Sequence, residues 1–107
     1  MISIIQGEVV AIHSDNLVIM VGGVGVKVHV PAQLRQTSHL GEKIGLFTSL
    51  VVREDALILY GFSNEEEQVF FDLLIGASGI GPRTAIAILS VLSVDTIRRA
   101  VLSEQPD

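Results

Sequence analysis

The first part of the chain alternates apolar and polar residues with the two-residue period of β-strands. From residue 24 to residue 30 every second residue is valine, a pattern typical of a strand with one buried face. Four other runs rich in β-branched and aliphatic residues predict further strands at residues 2–12, 17–21, 43–52 and 56–62. Five strands, the first of them long and interrupted by a glycine, predict a small closed β-barrel of the OB type.

Turn residues separate these predicted strands. Gly22 and Gly23 predict a tight hairpin between the second and third strands. Gly7, inside the first strand, predicts a bulge or bend. Residues 32–40 are polar and leave room for one helical turn before the fourth strand.

The pattern changes to a helical period after residue 62. Ser63 and Glu66 have the spacing of a capping box, in which the serine accepts a helix N–H and the glutamate reaches back. Gly76 predicts the end of this helix. The predicted apolar face consists of Val69, Phe70, Leu73 and Leu74.

Two more helices follow. Pro82 is well placed at the first position of the second helix, and Ser93 predicts the cap of the third. The predicted apolar side of the third helix consists of Ile97, Val101 and Leu102. We therefore expect two domains, a barrel at residues 1–62 and a helical domain at residues 63–107.

The segment between the first two helices carries the candidate chemistry. Gly79 and Gly81 allow close approach of a ligand to the backbone, and Ile80 between them can fill the gap between the helices. Arg83 and Thr84 stand in the first turn of the next helix, whose free N–H groups attract anions. The pattern predicts a helix-hairpin-helix that holds a nucleic-acid backbone without reading bases, and the alternative is a glycine-rich turn between packed helices.

Composition and charge narrow the function classes. The 107 residues are 49% hydrophobic with a mean hydropathy of +0.56, yet no apolar run approaches the ~18 residues of a membrane span. We interpret the excess as burial against other copies of the chain. The net charge of −5 weakens a nucleic-acid interpretation, although phosphate binding depends on the local field rather than on the sum.

Cofactor chemistry has no support in the residue pattern. The chain has no cysteine, and its three histidines, His13, His29 and His39, lack ligand spacing. We expect surface or core roles for them, no metal and no cofactor. The first residues lack a secretory leader pattern, and the expected location is the cytoplasm.

The sequence resembles the RuvA family of Holliday-junction-binding proteins over nearly its whole length. The stretches that carry the resemblance are Val21-Gly22-Gly23-Val24-Gly25, Phe47-Thr48, Val51-Val52-Arg53-Glu54-Asp55-Ala56, Leu59-Tyr60-Gly61-Phe62, Gly79-Ile80-Gly81-Pro82 and Ala85-Ile86-Ala87-Ile88-Leu89-Ser90. The resemblance implies an OB-fold domain, a helical domain with two hairpins and a third domain that contacts the RuvB motor. It also implies homotetramers on four-way junctions in DNA recombination, repair and the SOS response to DNA damage, without catalysis of their own, and the RuvC resolvase as a further partner.

The turn between the last two strands gains a role only from this resemblance. Glu54 and Asp55 match the family's acidic pin, and Arg53 lies beside them, close enough to attract DNA backbones. In a tetramer the pins bring together eight carboxylates, two from each copy, which repel phosphates at the crossover. Without the resemblance, the turn is a solvated hairpin tip.

The last residues depart from the family pattern. The chain stops at Pro106-Asp107, where the family continues into a second hairpin and the motor-binding domain, so we expect a fragment that retains one hairpin.

Two other function classes stay open. A hairpin-bearing DNA glycosylase needs a base pocket and a catalytic acid or lysine after the hairpin. Asp95 is the only acidic residue between the hairpin and the terminal stretch, and no lysine follows Lys43. A protein-only assembly module is the other alternative. Titration with four-way junction and duplex DNA separates all three.

Overall fold

The computed structural model of the chain describes residues 3–77 and 79–92. The described residues contain five strands and three helices. In chain order these are β1 Ile4–Ile12, β2 Asn16–Val21, β3 Val24–His29, α1 Ala32–Thr37, β4 Lys43–Val52, β5 Leu57–Phe62, α2 Glu65–Ala77 and α3 Pro82–Val91.

The five strands form a closed barrel in the order β1-β2-β3-β5-β4, and β1 closes it by pairing with β4. All pairings are antiparallel except the one between β3 and β5, which meet through His29 and Tyr60. The short helix α1 connects β3 to β4. This is the OB-type barrel followed by helices that the sequence predicts.

The bulge of β1 lies later in the strand than predicted. Val9 pairs with Ile19 and Ala11 pairs with Val18, so Val10 is the extra residue. The prediction of a bulge at Gly7 is wrong. Gly7 keeps its register with β4, and a Cβ there would meet the carbonyl oxygen of Met20. Glycine is needed at this position because β2 approaches the backbone of β1 closely.

The Gly22-Gly23 hairpin is confirmed. Val21 pairs with Val24, which leaves a two-residue loop. Both glycines have positive φ, 57° and 83°, as a type I′ turn requires.

Two hydrophobic clusters organise the chain. The first fills the barrel and includes the fully buried Val9, Leu17, Ile19 and Val28. The second joins the barrel to the helices through Tyr60, Phe62, Phe71, Ala85 and Leu89. Phe71 lies 5.0 Å, centroid to centroid, from both Tyr60 and Phe62. The default interpretation of Tyr60 and Phe62 as packing residues is therefore confirmed.

The buried face of α2 differs from the predicted one. Val69 and Leu73 are 48% and 54% exposed, whereas Phe71 is fully buried and Phe70 and Leu74 flank it. Apolar residues cover most of the circumference of this helix, so their spacing alone could not identify the inner face. The contact with the aromatic side chains of β5 decides it.

The start and end of α2 also need correction. The cap is Asn64, whose Oδ1 accepts the N–H of Glu67 at 2.9 Å. The Ser63 hydroxyl donates instead to the Glu67 carboxylate at 3.0 Å. The capping pair is therefore shifted by one residue from Ser63 and Glu66. At the other end, the helix passes Gly76 and ends at Ala77.

The predicted third helix, with its cap at Ser93 and its apolar residues Ile97, Val101 and Leu102, lies outside the described residues. Within residues 3–77 and 79–92, no helix has the length and apolarity required to span a membrane.

Candidate nucleic-acid interface

The hairpin between α2 and α3 has the backbone that its glycines predict. Gly79 has a φ of +67°, a conformation that favours glycine. Gly81 is the N-cap of α3 in an extended conformation, and no side chain caps this helix. The N–H of Ile80 donates to the carbonyl of Leu74 at 3.3 Å, which holds the turn against the end of α2. Ser78, which precedes this turn, lies outside the described residues.

The first turn of α3 presents free backbone donors. Pro82 has no N–H, and Ala85 makes the first helical bond, to the carbonyl of Gly81 at 2.9 Å. The N–H groups of Arg83 and Thr84 therefore precede the helical ladder, and both residues are exposed. Ile80, in contrast, is half-buried and packs against the second cluster. Free N–H groups at a helix N-terminus are the kind of donors that favour anions.

The candidate acidic pin is a short exposed turn. The N–H of Arg53 donates to the carbonyl of Ala56 at 2.9 Å, and Glu54 and Asp55 stand exposed between them. Within residues 3–77 and 79–92 these two carboxylates make no hydrogen bond or ion pair. Their charges are therefore free to act on an approaching ligand.

The charges of two arginines, Arg53 of the pin and Arg83 of the hairpin, both influence the buried Tyr60. Burial raises the pKa of Tyr60, and the positive charges of Arg53 and Arg83 oppose this rise. Both guanidinium groups therefore act on one buried phenol, although they come from the pin and from the hairpin. No local pattern indicates this shared influence, because 30 residues separate the two arginines along the chain.

The sequence predicts a surface or core role for His29, and the structure places it beside the hairpin, where it lines the same cavity as Arg83. Its Nδ1 lies 3.8 Å from Oδ2 of Asp15, and its ring centroid is 5.5 Å from that of Tyr60. Burial lowers the pKa of His29, and the nearby charge of Asp15 only partly opposes this effect. Across residues 3–77 and 79–92, no three side chains of the metal-binding types are grouped as ligands.

Hydrogen bonds fix the hairpin on the barrel. Ser90 accepts the N–H of Ala32 at 3.0 Å, and the amide of Gln33 donates to the carbonyl of Leu89 at 3.0 Å. These two bonds join α1 to α3. On the other side, Ser49 donates to Asp72 at 2.8 Å and thereby joins β4 to α2. The hairpin is thus held at several points rather than through one flexible connection.

Comparison with known proteins finds similar sequences for the barrel and for most of the chain. Residues 1–61 match the family described as RuvA N terminal domain. The Holliday junction branch migration complex subunit RuvA of Streptomyces coelicolor is 50% identical over 101 residues, which are 94% of this chain and 50% of that protein. The proteins of the same name from Acidothermus cellulolyticus and Micrococcus luteus are 44% and 47% identical over 104 residues, or 97% of this chain and 53% and 49% of theirs. The chain spans about half the length of these curated relatives.

Proposed function

The chain belongs to the RuvA N-terminal domain family, and from this we propose that it binds four-way Holliday junction DNA through the sugar-phosphate backbone. It catalyses no reaction itself in this proposal, and it holds the junction open for branch migration. The relatives it matches are named as subunits of a branch migration complex, which supports a role in DNA recombination and repair.

The hairpin is the single observation that carries the proposal. Gly79 and Gly81 have no atoms other than their neighbours within 4 Å of a would-be Cβ, so a phosphate can reach the backbone there. The N–H groups of Arg83 and Thr84 and the guanidinium of Arg83 supply donors and positive charge. Contacts of this kind are blind to base sequence, as binding of a DNA shape requires.

The acidic pin, Glu54 and Asp55, is the part of the barrel that would contribute to recognition of the junction. We propose that residues 1–62 assemble the chain into a homotetramer and that residues 63–107 grip DNA. Glu54 and Asp55 of each copy would then repel phosphates at the centre while Arg53 attracts the strands beside them. Exposed apolar side chains on the barrel, such as Ile4 and Val24 at 56% and 61%, favour contact with another copy.

The proposal of protein partners depends on the family resemblance alone. We propose that the motor RuvB acts with the whole protein through a domain outside this chain, that RuvC is a further partner, and that the protein works in the cytoplasm. A glycosylase has less support, since Asp95 is the only acid between the hairpin and the terminal stretch, no lysine follows Lys43, and the proposed grip needs no base pocket.

A binding comparison tests the proposal. A synthetic four-way junction and a duplex with the sequence of one pair of arms are titrated with the protein at several salt concentrations. We expect at least roughly tenfold tighter binding of the junction, a difference of about 1.4 kcal/mol, and a steep loss of affinity with salt. Equal affinity for the two DNAs, or binding that ignores salt, would refute it.

A further inference from the structure

A cleft of about 370 Å³ lies between the barrel and α3. The barrel contributes His29 and Tyr60 from two paired strands and Arg35 from α1, and the hairpin helix contributes Arg83. The cleft therefore begins at the cation that the proposed function assigns to the DNA backbone and continues onto the barrel. The residues that line the barrel side of the cleft do not belong to the hairpin motif, so the proposed function assigns them no role.

Arg35 is the least satisfied group in this cleft. Its Nε is shielded from solvent and has no hydrogen-bond partner among residues 3–77 and 79–92. A buried donor without an acceptor is costly, and buried polar atoms in folded proteins nearly always have a partner. A guanidinium with an unpaired Nε–H inside a cleft is suited to bind an anion, above all a phosphate.

Tyr60 supplies a second donor. Its hydroxyl makes no hydrogen bond within the described residues, and its side chain lines the cleft. Burial raises the pKa of this phenol, so it keeps its proton and can donate it to an oxygen.

The charges in the cleft leave a positive excess. Asp15 is the acid that lines it. The pKa of its carboxyl is lowered chiefly because Asn16 donates a hydrogen bond to it, with smaller contributions from His29, Arg83 and Arg35. That bond is 2.7 Å long. The lining of the cleft thus carries two guanidinium groups, those of Arg35 and Arg83, against the one carboxylate of Asp15, which leaves one positive charge in excess.

We propose that the cleft binds a further phosphate of the DNA strand held by the hairpin, with Arg35 and Tyr60 as the groups that contact it. This inference rests on the proposed function and adds a barrel-side contact to it. The strand would run from the hairpin across Arg83 into the cleft, so that barrel and hairpin grip one backbone together.

The test compares three substitutions that each remove one positive charge. Arg35→Gln alters the cleft, Arg83→Gln alters the hairpin, and Lys43→Gln alters an exposed cation that lines a different groove. Binding of four-way junction DNA is measured against salt for each variant and for the unaltered protein. Thermal unfolding of each variant in the absence of DNA checks that it folds.

We expect Arg35→Gln to weaken junction binding roughly tenfold and to reduce the slope of log affinity against log salt by about 0.9, the value for one phosphate contact. Lys43→Gln should leave the slope unchanged. Arg35→Lys, which keeps the charge, should restore most of the slope even if it restores less affinity. A purely structural role of Arg35 would not change the slope.

The outcomes separate the two proposals. If Arg83→Gln lowers the slope and Arg35→Gln behaves like Lys43→Gln, the cleft assignment is wrong and the hairpin assignment stands. If the unaltered protein does not prefer the junction, both are wrong. If inorganic phosphate raises the melting temperature through Arg35 while DNA binding ignores this residue, the cleft holds a free anion and the inference is overturned.

Discussion

Ser90 and Ala32 are joined by a hydrogen bond that links the two halves of the chain. The Ser90 hydroxyl accepts the Ala32 N–H at 3.0 Å and donates to the carbonyl of Ile86 at 2.8 Å. Ala32 begins α1 and Ser90 lies near the end of α3. The Ser90 hydroxyl of α3 therefore provides a hydrogen-bond acceptor for the first N–H group of α1.

Replacement of this serine should loosen the attachment of the hairpin. Ser90→Ala leaves the N–H of Ala32 without its acceptor in a partly buried place, so we expect the free energy of unfolding to fall by about 1–2 kcal/mol. Urea denaturation measures this. Ser14→Ala, at an exposed turn, is the control and should change stability by less than about 0.5 kcal/mol. Equal effects would contradict a role for the Ser90 bond.

Two glycines should respond oppositely to alanine. At Gly7 a Cβ would meet the carbonyl oxygen of Met20, so Gly7→Ala should destabilise the barrel by about 1–3 kcal/mol through overpacking. Gly76 lies within α2 with nothing close to its would-be Cβ, so Gly76→Ala should stabilise by up to about 1 kcal/mol. Thermal denaturation of both variants checks the signs. A neutral Gly7→Ala would refute the close approach of β2.

Arg83 should contribute to affinity without contributing to sequence preference. Arg83→Gln removes a backbone contact, so binding to junctions of different base sequence should weaken by one common factor, with a salt slope reduced by about 0.9. Titrations of two junctions with unrelated arm sequences measure this. A change in preference between them would mean that the hairpin reads bases.

Removal of the charges of the pin should change junction affinity in the opposite direction from removal of Arg83. Glu54→Gln with Asp55→Asn keeps side-chain size and removes both charges, and at an exposed turn the stability should change by less than about 0.5 kcal/mol. If the turns meet at the centre of a tetramer, the loss of repulsion should tighten junction binding, most strongly at low salt.

Plain duplex is the control for the pin, because it does not reach the centre and should bind as before. Equal changes on junction and duplex, or no change on either, would make Glu54 and Asp55 an ordinary solvated turn.

His29 should make stability depend on pH. Burial holds its pKa below the ordinary value of 6.5, with Lys27 and Arg83 acting in the same direction and Asp15 against them; the Tyr60 ring also faces it. The folded protein then binds fewer protons than the unfolded chain as the pH falls through about 6.5. The free energy of unfolding should therefore decrease below this pH and recover above it.

His29→Gln should flatten this dependence between about pH 5 and pH 7, measured by urea denaturation at each pH. The same substitution at the exposed His39 is the matched control. Identical pH profiles for the two variants would show that His29 does not cause the effect. The Asp15 carboxyl, whose pKa is also lowered, does not cause the same pH dependence. Its contribution to the free energy of unfolding is lost only as the pH falls towards and below 3.8.

The sequence by itself determined the elements whose signals are local. Alternating valines predict β3, and Gly22-Gly23 predicts the turn before it, because side-chain period and turn conformation depend on adjacent residues. The hairpin at Gly79 and Gly81 was predictable for the same reason. The bounds of β4 agree with the prediction at both ends.

The tertiary structure alone decided which surfaces meet. The parallel contact of His29 with Tyr60 and the burial of Phe71 depend on partners far apart in the chain. No local pattern marks Arg35 as a residue of α1 that lines the cleft, or Gly7 as the point where β2 approaches the β1 backbone closely. Period and turn chemistry determine the elements, whereas barrel closure and helix docking determine the inner faces and the cleft, since burial depends on contacts between distant segments.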